Sequence, residues 1–285
     1  MSGRSKRIAR QIRESSPRLI ELRIDGEKGV SELPAIYTEI HKCDARVMAT
    51  VRLFPGASAV AQRGYLMEFL WQVDSREPFR GLLPPGSKAI SMTVDEDSLT
   101  HLPEVLEEFA GSDLRELHLT NVNAIRALAE VGHVALPPPE KFLEAAGVVS
   151  RIPVALGRKR LIVHDFFLWK HLRDVFSREA QENVAFSECR AASALAHVDW
   201  EGNVYPCESL PIRLGNLQDR TFERIWRSPA RMQILETIRA IPEACGPCDQ
   251  APGCLSVCRG LLRDAVGSGD TARPDRAGRP ADGRG

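Results

Sequence analysis

The sequence has no excess of charge of either sign, no long apolar run and only one cysteine in its first 188 residues. Each absence excludes something. Its 38 basic residues balance 38 acidic ones, so the chain is not built to coat nucleic acid or an anionic membrane. No apolar run approaches the roughly 18–20 residues a membrane helix needs. The basic, helix-like start from Met1 to Glu14 is not followed by an apolar stretch, which sets it apart from a secretory signal and predicts a cytoplasmic protein. No glycine-rich phosphate loop and no Ser/His/Asp hydrolase signature is present. A composition of 43% apolar and 27% charged residues is ordinary for a globular protein and excludes a wholly disordered one. A length of 285 residues suffices for one large domain or two smaller ones.

From Arg18 to about Phe176 the chain alternates strand-like and helix-like segments. Leu19–Ile24 alternates apolar and polar residues and stops at Asp25-Gly26, a turn signal. A helix is predicted over Ser31–Lys42, where Leu33, Ile36 and Ile40 fall at helical spacing. Val47–Phe54 reads as a second strand, Ala61–Val73 as a helix and Ala89–Val94 as a third strand. Asp97 is the predicted cap of a helix running to about Phe109 and ended by Gly111. Leu114–Leu119 and Arg160–Val163 supply a fourth and a fifth strand. This alternation predicts parallel βα units, with spacing that suits an open or partial barrel better than a full eight-fold one.

Beyond about Ala185 the texture changes. Leu195–Trp200 and Val204–Pro206 flank Glu201-Gly202-Asn203 and read as a short hairpin. Thr221–Trp226 and Pro229–Ala240 read as short helices capped by Asp219 and Ser228. From Ile241 the chain is rich in cysteine, proline and glycine and is expected to be irregular. Val266–Gly285 has almost no apolar content and is expected to be disordered.

The cysteines carry the chemistry. Cys43 stands alone, while Cys189, Cys207, Cys245, Cys248, Cys254 and Cys258 crowd into the last 97 residues. Clustered cysteines in a reducing compartment point to metal or redox chemistry rather than disulfides. Twelve residues separate Cys189 from Gly202 and four separate Gly202 from Cys207; Cys245-x2-Cys248-x5-Cys254-x3-Cys258 follows. Such gaps let thiolates of one loop converge on an inorganic core, as an iron–sulfur cluster requires. Gly246, Pro247, Pro252 and Gly253 allow the backbone to wrap tightly. Cys245, Cys248, Cys254 and Cys258 also satisfy a tetrahedral zinc site, although structural zinc sites more often separate two cysteine pairs by a longer loop.

This pattern resembles the SPASM domain, the C-terminal module of many radical SAM enzymes that modify peptides and proteins. The likeness extends to Val198-Asp-Trp-Glu-Gly-Asn-Val-Tyr-Pro-Cys207, to Leu214-Gly-Asn-Leu217 and to Phe222-Glu-Arg-Ile-Trp226, and covers about Cys189 to Gly260. The resemblance implies one or two auxiliary [4Fe–4S] clusters, with Cys189, Cys207 and Cys258 serving one and Cys245, Cys248 and Cys254 the other. No cysteine follows Cys258, and six thiolates do not fully ligate two four-iron clusters. A non-cysteine ligand, an open iron, a residue from a partner and a single cluster are the alternatives.

Radical SAM enzymes also carry a Cys-x3-Cys-x2-Cys loop after the first barrel strand. Here Leu19–Ile24 is followed by Asp-Gly-Glu-Lys-Gly-Val-Ser-Glu, and Cys43 has Val47 and Thr50 at the positions where further cysteines would stand. The chain therefore looks like an α/β protein with a degenerate or partial radical-SAM-like βα barrel followed by a small cysteine-rich iron–sulfur SPASM domain, without a SAM-binding cluster. The expected organisation is a basic segment over 1–16, the βα domain over 17–184, the SPASM domain over 185–262 and a tail over 263–285. It is similar to the GeoRSP system SPASM domain proteins, a likeness that Val163-His-Asp-Phe-Phe-Leu-Trp-Lys170 shares. That resemblance implies an accessory role beside a companion radical SAM/SPASM enzyme and its peptide or protein substrate, with electron relay through a cluster and no radical SAM catalysis of its own. A SAM-independent enzyme using an open iron and a zinc-stabilised binding module are the other readings.

Other residues read more plainly. Cys43 suits a small apolar position at a helix end. His197 lies near Cys207 across the hairpin, as a strand residue or an additional ligand. His164 and Asp165 end a strand, where βα barrels keep their sites, or cap the next helix. Trp169 and Trp226 suit core positions, and Glu104, Glu107 and Glu108 suit a solvated helix face.

Overall fold

The computed structural model describes residues 3–74, 76–79, 81–134, 137–151 and 156–240. Cys245, Cys248, Cys254, Cys258 and the 263–285 tail lie outside the described residues. The chain divides into two units, one of residues 1–122 and 135–189, the other of 123–134 and 190–285.

The first unit is a seven-stranded parallel sheet with its strands in chain order: β1 (Leu19–Ile24), β2 (Arg46–Arg52), β3 (Glu68–Gln72), β4 (Ala89–Thr93), β5 (Glu116–Thr120), β6 (Arg160–Val163) and β7 (Val184–Phe186). Sequential order in a parallel sheet means that every connection crosses over in the same sense, the geometry of a barrel laid open. The ladder starts at β1 and ends at β7. Around it run helices α1 (Gly3–Glu14), α2 (Glu27–Ile40), α3 (Glu96–Thr100) and α4 (Leu102–Ala110), and a 3₁₀ turn over Ala57–Arg63. Within the second unit lies α5 (Ala124–Val131); α6 (Pro139–Val149), α7 (Phe166–Val175) and α8 (Arg178–Gln181) return to the first.

Register sorts the strands into two faces, because paired residues of a parallel sheet point to the same side. Ile20, Ile24, Val47, Ala49, Val51, Trp71, Ile90, Met92, Leu117, Leu119, Leu161 and Val163 form one buried apolar face. Phe109, Phe142, Leu168 and Leu172 from the helices complete its core. At about 25 cal/mol per Å² of apolar surface removed from water, this layer is the main source of the unit's stability. The opposite face carries Glu21 and Arg23, Thr50, Gln72, Ser91 and Thr93, His118 and Thr120, aligned by the pairings Arg23↔Thr50, Gln72↔Ser91, Ser91↔His118 and Thr93↔Thr120.

α1 packs on α2 through Ala9 and Ile12, with Arg13 ion-paired to Glu39 at 3.1 Å and Ser5 donating to Glu32. Cys43 joins the cluster of Ala9, Ile20, Ile40 and Val47, and its thiol donates to the Ile40 carbonyl at 3.1 Å. It occupies the small apolar position its sequence context suggests.

In the first unit four expectations are corrected. Ala61–Val73 is not a helix: the 3₁₀ turn ends at Gly64 (φ 70°), and Glu68–Gln72 is a central strand. There Trp71 is 1% exposed and stacks on Phe69, which holds the extended backbone against a helix-compatible spacing of apolar residues. The helix cap is Asp95, not Asp97. Asp95 accepts from the Ser98 amide and Ser98 Oγ accepts from the Asp95 amide, a reciprocal capping box, while Asp97 pairs with Arg76. The segment also breaks at His101 into α3 and α4, where Pro103 at the start of α4 cannot extend the preceding helix. β7 completes the sheet beyond the five strands read from the sequence.

The second unit holds a three-stranded antiparallel sheet of β8 (His197–Val198), β9 (Asn203–Tyr205) and β10 (Gly215–Asn216), in the order β10-β9-β8. Gly202 makes its turn at φ 83°. Helices α9 (Phe222–Trp226) and α10 (Pro229–Arg239) follow, capped by Thr221 and Ser228. Ser228 caps as expected; Thr221 takes the role assigned to Asp219, because it directly precedes the first helical residue and its hydroxyl reaches the Arg224 amide.

Candidate functional site

Two of the six clustered cysteines fall within the described residues. Cys189 is exposed and ends the run that follows β7. Cys207 is half-buried and follows β9 by two residues.

A polar network fixes the hairpin that leads into Cys207. Asp199 accepts from the Asn203 amide at 2.8 Å, from Asn203 Nδ2 at 2.8 Å and from the Tyr205 hydroxyl at 3.1 Å. Asn203 Oδ1 accepts from Asn216 Nδ2 at 2.8 Å, and Asn216 Nδ2 also reaches the Glu201 carbonyl at 3.1 Å. Gln218 closes the ring onto Glu201 at 2.8 Å. The Asp-x-x-Gly-Asn and Gly-Asn segments are thus two halves of one structure. Burial, reinforced by the Asp199 carboxylate, pushes the Tyr205 phenol up and keeps it neutral. His197 sits on β8 with its ring centroid 6.1 Å from that of Tyr205.

The backbone around Cys207 is tied down on both sides. The Pro206 carbonyl accepts from the Ala192 amide at 3.3 Å, and the Glu208 carbonyl accepts from the Ile125 amide at 3.2 Å. The Cys207 carbonyl accepts from Leu210 at 3.4 Å. Ala192 is fully buried with φ 54°, a left-handed conformation that costs a non-glycine residue about 1–3 kcal/mol and persists only where surroundings enforce it. Arg231 supplies part of that enforcement: its Nη1 donates to the Ala192 carbonyl at 2.6 Å. Trp226 is half-exposed rather than a core residue, and its ring carries the Arg231 guanidinium at 4.8 Å.

In the first unit, His164 directly follows β6, its ring centroid 6.4 Å from that of His118. Burial, with the neighbouring His118 second, pushes His164 down to about 4. Burial also lowers His118, against a raising hydrogen bond from Glu116. Burial therefore favours the neutral form of both rings. Glu21 accepts from Thr50 at 2.6 Å and pairs with Arg23 at 3.4 Å. Asp165 has the structural role weighed for it: 5% exposed, it accepts from the Leu168 amide at 3.1 Å at the start of α7. Trp169 packs against the core and donates to the Val184 carbonyl at 3.0 Å. Glu104 and Glu107 face solvent, while Glu108 accepts from the Phe79 amide. The roles of Arg231, Asn123 and Asn216 have no signal in the sequence beyond the Gly-Asn segment itself, since each acts on a group distant along the chain: Arg231 on the Ala192 carbonyl, Asn123 on the Glu208 carboxylate and Asn216 on Asn203 and the Glu201 carbonyl.

The class that this arrangement defines is a parallel α/β protein joined to a small cysteine-bearing module. Residues 189–249 match the SPASM family model, an iron–sulfur cluster-binding domain, so the chain carries a SPASM domain. That span includes Cys189, Cys207, Cys245 and Cys248. The fold is similar to that of native anSMEcpe with bound AdoMet, at 13% identity and a TM-score of 0.60, covering 92% of this chain and 81% of that one. It is equally similar to native anSMEcpe with bound AdoMet and Cp18Cys peptide, at 13% identity and a TM-score of 0.60, covering 93% and 84%. The parallel α/β fold followed by a SPASM domain, expected from the resemblance, is thereby borne out as a fold. No curated protein matches the chain. Among the described residues, no helix is long and apolar enough to cross a membrane.

Proposed function

We propose that this chain is an accessory iron–sulfur protein of a peptide- or protein-maturing radical SAM system of the GeoRSP kind. It binds a companion radical SAM/SPASM enzyme or that enzyme's peptide substrate and does not generate the radical itself. The observation that carries the reading is the connection after β1. The chain passes from Ile24 through Asp25-Gly26 straight into α2, with no cysteine before Cys43. The place where a radical SAM barrel holds three thiolates is occupied by a turn and a helix. The peptide bound to anSMEcpe in a similar structure supports a peptide partner.

The donor set fits an iron–sulfur cluster. Cys207 is partly accessible and held on a turn of fixed backbone, and thiolates are the ligands such clusters take. We assign Cys189, Cys207, Cys245, Cys248, Cys254 and Cys258 as its ligands, holding one or two [4Fe–4S] clusters. A cluster so held supplies one-electron chemistry. The chain's own part is to present the thiolates and to exchange electrons with the partner.

Reductant and S-adenosylmethionine supplied to the purified protein alone test this reading. No 5′-deoxyadenosine is expected above a protein-free control. Its formation by the isolated chain overturns the accessory role.

A further inference from the structure

Cys207 is held between two carbonyls, and each leads to a side chain outside the cysteine pattern. On one side the Pro206 carbonyl accepts from Ala192, whose own carbonyl accepts from Arg231. On the other, the Glu208 carbonyl accepts from Ile125 in the first turn of α5, and Asn123 Nδ2 reaches Glu208 Oε2 at 3.3 Å. We infer that Arg231 and Asn123 are positioning residues that fix the Cys207 thiolate for its cluster, acting from α10 and from the start of α5.

Both are oriented to do so. Asn123 caps α5, its Oδ1 accepting from the Arg126 amide at 3.0 Å, which turns its amide nitrogen towards Glu208. Arg231 lies over the Trp226 ring at 4.8 Å, which aims the planar fork at Ala192. Ala192, fully buried and left-handed, has no freedom to relax independently of the carbonyl it presents. Releasing either side lets the turn bearing Cys207 shift by tenths of an ångström, and metal–thiolate bonds do not tolerate that without cost. Neither residue bears a thiolate.

The inference rests on the iron–sulfur reading above, and the test separates the two. Asn123→Asp preserves the helix cap, because aspartate caps as well as asparagine, yet replaces the donor to Glu208 with a like charge. Arg231→Gln removes the fork from Ala192, and Arg231→Lys is the conservative variant. Each anaerobically purified protein is read three ways: iron and sulfide content, the rate of iron loss to a chelator, and the electron paramagnetic resonance spectrum of the reduced state.

Asn123→Asp and Arg231→Gln are expected to lose iron about 10–100-fold faster than the parent and to show shifted g values, with Arg231→Lys intermediate. A g shift is the signature that a merely structural role would not produce. Parent protein that holds iron and sulfide, with variants of unchanged g values and iron-loss rate, overturns the positioning role and leaves the iron–sulfur reading standing. Parent protein without iron and sulfide overturns both. Should Arg231→Gln fail to fold, Asn123→Asp alone decides.

Discussion

Gly215 lies so close to Ile225 that a Cβ on it would meet Ile225 Cγ1 at 2.9 Å and Cδ1 at 3.1 Å. The Gly-Asn segment therefore needs its glycine for space. β10 approaches α9 with only hydrogen between them, and Ile225 is 1% exposed. Gly215→Ala is expected to destabilise the second unit by about 1–3 kcal/mol, the usual cost of overpacking. Ile225→Ala in the same chain should recover part of that loss, because Ala lacks the Cγ1, Cγ2 and Cδ1 atoms that a Cβ on residue 215 would meet. Urea unfolding of the two single variants and the double variant measures the coupling; additive effects would contradict the close approach.

Asp199 gathers three donors at the hairpin. Asp199→Ala leaves the Asn203 amide, the Asn203 side chain and the Tyr205 hydroxyl without their common acceptor. A loss of about 1–3 kcal/mol is expected, the cost of leaving buried donors unsatisfied, read as a lower thermal midpoint. Asp199→Asn, which keeps one acceptor oxygen, should lose less.

How much of this is legible in the sequence depends on where the determining contact lies. β1 and β6 are legible because alternation within Leu19–Ile24 and the apolar run Leu161–Val163 are local signals. β3 is not. Its apolar residues are compatible with a helix, and only pairing on both sides with β2 and β4 makes it extended. The cysteine pattern is legible because ligand spacing is written along the chain. The polar sheet face is hidden, since it is assembled from one or two residues on each of five strands and aligned only by register.

His164 gives the first unit an acid dependence. Its folded value is near 4, below the ordinary 6.5, so between those values the unfolded chain binds a proton that the folded chain refuses. Stability is therefore present above about pH 6.5 and is lost as the pH falls towards 4, with a slope of up to about 1.4 kcal/mol per pH unit for one histidine. His118 acts in the same direction, while Glu21 opposes and Arg23 assists. Urea unfolding at pH 7 and pH 5 should show the loss, and His164→Gln should reduce it. An equal loss in the variant would contradict the assignment.

Ser228 caps α10 by accepting from the Arg231 amide. Ser228→Ala is expected to cost about 1 kcal/mol. Because the cap adjoins the positioning arginine, the same variant should also speed iron loss, by less than Arg231→Gln does. A stability loss with an unchanged iron-loss rate would separate the cap from the arginine.

The central claim is that the clustered cysteines hold an iron–sulfur cluster. The most direct measurement is the iron, acid-labile sulfide and zinc content of anaerobically purified protein. The account predicts iron and sulfide in equal amounts, about four or about eight of each per chain, with little zinc. Zinc bound tightly without sulfide would contradict it and leave a zinc-stabilised binding module in its place.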